Sequence, residues 1–80
     1  MNRDQSLETT FVEILQRLRK ERNLSQETLG YESGYHRTYI SLLERGQKSP
    51  SLKTLFQLAK ALDIKPSLLI ELIEKKTKDR

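Results

Sequence analysis

The sequence predicts an all-α domain of five short helices, on three observations. Apolar residues recur at helical spacing along most of the chain. Nowhere do β-branched and polar residues alternate over five or more positions, as a strand requires. Glycines at 34 and 46 and prolines at 50 and 66 stand where those periodic stretches stop and restart. Eighty residues, 35% apolar and 32% charged, suffice for one small core and no second domain.

The first helix carries Phe11, Leu15 and Leu18 at i, i+4 and i+7. Thr10 followed by Glu13 forms a capping box for its start, which leaves residues 1–9 as a flexible N-terminal arm. Asn23 ends it. Ser25 then caps a second helix with Glu27 in its first turn, and Gly34 arrives nine residues later to close it. A third runs from His36 to Arg45 and stops at Gly46. After the loop "QKSP", Ser51 caps a fourth that carries Leu52, Leu55, Phe56, Leu58, Ala59 and Leu62. Pro66 occupies the first turn of the fifth, which continues through "SLLIELIEKK". The folded domain is thus expected over 10–76, with 77–80 a charged tail.

Composition excludes several classes of function. With no cysteine there are no disulfides, thiolate metal sites or thiol nucleophiles. His36 is the only histidine, so a metal site would need carboxylates to complete it, and His36 reads as a surface or capping residue. There is no Ser–His–Asp arrangement, no phosphate-cradling glycine loop and no carboxylate cluster, so neither catalysis nor a cofactor is expected. "MNRDQSLETT" has no apolar signal core and no apolar run approaches a membrane span; a cytoplasmic protein without membrane contact is the expectation. A net charge of +4 favours a polyanionic partner.

Leu29, Gly30, Gly34, Ile40 and Leu43 form one pattern. Two helices that cross steeply around a tight turn need a minimal side chain at their closest approach, which Gly30 provides. The turn needs positive φ, which Gly34 tolerates. Leu29, Ile40 and Leu43 plug the crossing from inside. With Ile40 and Leu43 inward, Thr38, Ser41, Leu42 and Arg45 project outward, flanked by Arg37 and Tyr39. A helix so dressed suits the major groove of double-stranded DNA. Arg37 is placed for a bidentate guanine contact, Thr38 and Ser41 for base edges or phosphate, and Tyr39 for a base step or the backbone. Leu42 has two readings, contact with a thymine methyl or a neighbour of the fourth helix. Arg45, Lys48 and Lys53 flank this helix and the next helix start, where Ser51 and the backbone N–H groups could receive a phosphate. Arg17, Lys20 and Arg22 read as a solvated face.

"LSQETLGYESGYHRTYISLLERGQKSPSLKTLFQLAKALDI", residues 24–64, resembles the Cro and phage-repressor (XRE-type) helix-turn-helix superfamily, and the resemblance reaches back through "FVEILQRLRKERN" to cover about 11–70. It implies a five-helix lambda-repressor-like fold. Gln26 matches the family glutamine that touches the DNA backbone and buttresses the recognition side chains. "RTYIS" and "LERG" are similar to restriction–modification controllers, in which the residues matching Arg37, Thr38, Tyr39, Ser41 and Arg45 lie at the DNA. The resemblance also implies a partly buried ion pair between Arg19 and Glu44.

The chain departs from the pattern at five places. Gly30 replaces alanine. Tyr35 replaces valine, so its pocket must be larger or its ring must lean outward. His36 replaces the usual cap of the recognition helix, a loss of about 1 kcal/mol. Leu42 replaces the controllers' glycine, and Lys65 replaces a cap.

Leu69 and Ile70 match family core positions, whereas Leu68, Leu72 and Ile73 add apolar surface. They either meet a second copy or close the monomer's own core, and the dimer is favoured. The function implied is a sequence-specific DNA-binding transcription regulator, acting as a homodimer on a palindromic operator. The alternative is an antitoxin-type or other protein-interaction module whose protein partner, such as a toxin, docks on the C-terminal helix.

Overall fold

The periodic stretches become five helices in the computed structural model, which describes residues 3–79: α1 (Arg3–Glu21), α2 (Gln26–Ser33), α3 (Arg37–Glu44), α4 (Leu52–Ala61) and α5 (Pro66–Lys78). Each connection is short because the helix ends are chemically defined. At Asn23 the backbone turns left-handed with φ 57°, and the N–H groups of Asn23 and Leu24 return to the carbonyls of Lys20 and Arg19. Asp63, with φ 56°, closes α4 in the same way through Lys60 and Ala59. Gly34 does so for α2 with φ 86°, its N–H and that of Tyr35 reaching Tyr31 and Gly30. Helix starts are equally explicit: Ser25 Oγ accepts from the Thr28 N–H and Ser51 Oγ from the Thr54 N–H. Lys65 makes no side-chain cap, and Pro66, which has no N–H to satisfy, begins α5.

Every helix contributes to one core. Phe11, Ile14 and Leu15 of α1 meet Leu29, Ile40 and Leu43 of the central pair and Leu58, Ala59, Leu62, Leu69 and Ile73 of α4 and α5. Fully burying one such side chain stabilises the fold by about 1.5–3 kcal/mol. α2 packs on α3 and α4, while α1 lies across α3 and α5. No helix among the described residues is long and apolar enough to cross a membrane.

Four expectations are corrected. α1 begins at Arg3, so residues 3–9 are helix rather than an arm, and Thr10 lies buried in mid-helix where it cannot serve as the cap. The added turns place Leu7 one turn before Phe11 on the same face. α5 runs on to Lys78, so the tail is helical at 77 and 78. Ile73, assigned to a dimer surface, is only 6% exposed and belongs to the core of the single chain. Ile70, matched to a core position, is instead 45% exposed on the outside of α5. A 100° step per residue explains the exchange: with Leu69 inward, Ile73 falls almost beneath it and Ile70 falls to the side.

Candidate nucleic-acid interface

The central pair is set by a close approach. A Cβ built on Gly30 would lie 2.6 Å from the carbonyl oxygen of Tyr35, closer than side-chain atoms come to backbone, so any larger residue here must shift the turn. Ser33 Oγ donates to the Gly30 carbonyl at 3.1 Å inside the same crossing. The chain therefore enters α3 along a fixed line. His36 caps α3 after all: its Nδ1 accepts from the Thr38 N–H at 3.0 Å, so the imidazole does the work expected of a serine or aspartate.

Ile40 and Leu43 are wholly buried, and the remaining face of α3 turns outward as its spacing predicts. Arg37, Thr38 and Arg45 are exposed, Ser41 and Leu42 half-buried. Tyr39 is half-buried and packs beside Tyr35, ring centroids 4.9 Å apart at 36°. Lys48, Ser51 and Lys53 are exposed on the loop and helix start that follow. Among the described residues no carboxylate pairs with Arg37, Arg45, Lys48 or Lys53, whereas Arg17 faces Glu21 and Arg22 faces Asp63. Cations without a carboxylate partner thus ring α3, although Lys20, Lys60 and Lys65 elsewhere also lack one among the described residues.

The Ser51 hydroxyl is occupied. It accepts from the Thr54 N–H and donates to Thr54 Oγ1 at 3.0 Å, so an anion at this helix start would meet backbone N–H groups rather than the side chain. Thr54 is a hub that spacing did not reveal: buried on α4, it also takes the Tyr35 hydroxyl at 2.8 Å and the Tyr39 hydroxyl at 3.5 Å. Tyr35 fits by leaning to the surface and anchoring its hydroxyl.

Beneath α3 an ionic knot holds the motif to α1. Glu44 accepts from Arg19 Nε at 2.6 Å and Nη2 at 3.1 Å, and from Gln26 Nε2 at 3.0 Å. Arg19 Nη1 donates to the Leu24 carbonyl, and Gln16 Nε2 to the backbone carbonyl of Glu44. A carboxylate at a helix C-terminus opposes the helix dipole, and the guanidinium offsets that penalty. Half-buried Gln26 is held by this knot at the start of α2, with an amide oxygen and a second N–H left over.

Several large apolar side chains are exposed on α4 and α5. Leu52 is 70% exposed and Phe56 54% exposed; both flank Leu55 on α4 at helical spacing. Leu55 and Ile70 line a groove of about 690 Å3, closed on the far side by Leu7, Phe11 and Val12 of α1. The excess was readable in α4, where six apolar residues in ten positions exceed what one buried face can hold. The half-buried Leu72 packs against the core, and Leu68 sits on the flank of α5 opposite Ile70.

Residues 15–69 match the helix-turn-helix family model, and the chain belongs to that family, in its XRE-type branch. It is similar to the restriction–modification controller protein C.AhdI of Aeromonas hydrophila, at 45% identity and a TM-score of 0.74, over 78% of this chain and 94% of that one. It also resembles C.Esp1396I, solved as a tetramer on its natural 35-base-pair operator: 30% identity, TM-score 0.81, covering 89% and 93% of the two chains. The control protein C.BamHI of Bacillus amyloliquefaciens is 46% identical over 49 residues, 61% of this chain and 60% of that protein. The chain spans about three-fifths of the length of the curated relatives it matches.

Proposed function

We propose that this chain is a sequence-specific DNA-binding transcription regulator that inserts α3 into the major groove as a homodimer. The observation that carries the reading is the division of α3 into a locked apolar side and an open polar side, ringed by cations that no carboxylate neutralises among the described residues. Arg37, Thr38, Tyr39, Ser41 and Leu42 then face base edges, while Gln26, Arg45, Lys48, Lys53 and the backbone at Ser51 address phosphates. That C.Esp1396I was solved in complex with its operator supports duplex DNA as the partner here.

The second copy is assigned to the face of Leu52, Phe56 and Ile70, with Leu68 and Leu72 outside it. This moves the interface from the flank of α5 to the seam between α4 and α5. A two-fold pair of recognition helices reads half-sites about one helical turn, ~34 Å, apart and so demands a palindromic operator.

Selection of bound duplexes from a randomised library tests base preference and half-site symmetry together. Binding should weaken steeply as salt rises, because each phosphate contact releases counterions. Affinity that ignores salt would leave the protein-interaction alternative standing, and a selected site without a palindrome would overturn the two-fold pair.

A further inference from the structure

His36, the only histidine in the chain, begins α3 with a ring where a serine hydroxyl would serve as the cap. Its Nδ1 accepts from the Thr38 N–H at 3.0 Å. A ring nitrogen that accepts carries no hydrogen, so the neutral imidazole holds its proton on Nε2. The cap thereby fixes the tautomer. Nδ1 is turned to the backbone of α3, and Nε2–H lies on the other side of the ring, where none of the described residues bonds it. The residue is exposed, beside the exposed Arg37 and Thr38 at the same helix end. Its backbone is fixed as well. The His36 carbonyl accepts from the Tyr39 and Ile40 N–H groups at 3.0 and 3.3 Å, and the Tyr35 N–H just before it donates to the Gly30 carbonyl at 2.7 Å. No acidic residue stands in the first turn of α3. A pinned ring thus offers one hydrogen-bond donor outward, at the end of the helix that leads into the groove.

We propose that His36 is a further DNA-contacting residue, which caps α3 with Nδ1 and donates Nε2–H to an acceptor on the duplex. The proposal rests on the DNA-binding reading. A serine would supply the cap alone, whereas the imidazole supplies cap and donor together on a ring that the cap has already oriented. Because orientation precedes binding, little rotamer freedom is lost when the acceptor arrives. The acceptor is a phosphate oxygen or a base edge, and the two differ in sequence dependence. Loss of the donor should weaken binding by roughly fivefold, the fold-change equivalent to one hydrogen bond of about 1 kcal/mol.

The test separates the two nitrogens with two variants. His36→Ser keeps a capping oxygen but stops short of the Nε2 position. His36→Gln reaches that position with an amide N–H but gives up the cap, since glutamine lies outside the capping set. Urea unfolding should place His36→Ser level with or above wild type and His36→Gln below it. Anisotropy on a fluorescent duplex, chosen by the wild-type chain from a random library, should reverse the order of the variants. His36→Ser should bind roughly fivefold more weakly than wild type, and His36→Gln more tightly than His36→Ser despite its lower stability. A purely structural cap gives the same order in both measurements, and that result overturns the proposal. Wild-type affinity in His36→Ser, which keeps its cap and so does not depend on the glutamine variant folding, overturns it too. A loss shared by all duplexes places the acceptor on a phosphate; a loss confined to one base pair places it on a base edge.

Two-bond proton–nitrogen NMR reads the tautomer of this single imidazole without DNA. In mildly alkaline buffer the proton should sit on Nε2, and a proton on Nδ1 overturns the proposal. A wild-type chain that selects no duplex fails the DNA-binding reading itself, whereas undiminished binding by His36→Ser fails only the contact assigned to His36.

Discussion

Gly30 shows how much one hydrogen atom can matter. A methyl group there meets the Tyr35 carbonyl at 2.6 Å, and because that oxygen belongs to the backbone it can yield only by shifting the turn. Gly30→Ala should lower stability by about 1–3 kcal/mol despite alanine's better helix propensity, as read by urea unfolding. A more stable variant would mean that the turn relaxes freely. On the outward side, Arg37→Ala should lose about 1–3 kcal/mol of discrimination at one base position while binding to random duplex persists. Equal weakening on every sequence would reassign Arg37 to a phosphate. Lys48→Ala should act in the opposite style, lowering affinity on all sequences and flattening the salt slope by about one unit.

Between helices, the Arg19–Glu44 pair joins α1 to the end of α3, with side chains 13% and 3% exposed. Removing one partner strands a buried charge, at a cost of about 3–5 kcal/mol; removing both leaves only the packing to repair. Arg19→Met and Glu44→Gln should each destabilise more than the double variant, as measured by the urea midpoint. Additive losses would show that the pair has no coupling. The cap of α3 obeys a related logic. An imidazole nitrogen at His36 reaches the Thr38 N–H as a serine oxygen would, so a residue chosen outside the usual capping set still begins the helix. Capping tables record frequency, whereas the backbone N–H asks only for an acceptor at the right distance.

At the scale of the whole molecule, cations without carboxylate partners flank α3, while Leu52 and Phe56 of α4 and Ile70 of α5 expose apolar surface. Phe56→Asp should yield monomers by sedimentation velocity and reduce operator affinity without unfolding the chain, because the ring is already more than half exposed. Leu68→Asp, on the opposite flank of α5, should leave the dimer intact. If Leu68→Asp dissociates it and Phe56→Asp does not, the interface returns to the flank expected from spacing alone.

Helix number, the turn at Gly34, the inward pair Ile40 and Leu43 and the outward face of α3 could all be read from residue order. Each depends on local periodicity or on a φ value that few residues tolerate, and these are properties of neighbours in the chain. The start of α1 could not, because Thr10 and Glu13 satisfy a local capping rule inside a helix that begins about two turns earlier. Nor could the fates of Ile70 and Ile73 or the hub at Thr54. Those depend on which surface another helix happens to cover and on distances between atoms far apart in sequence. Spacing along one helix carries no record of what lies across from it.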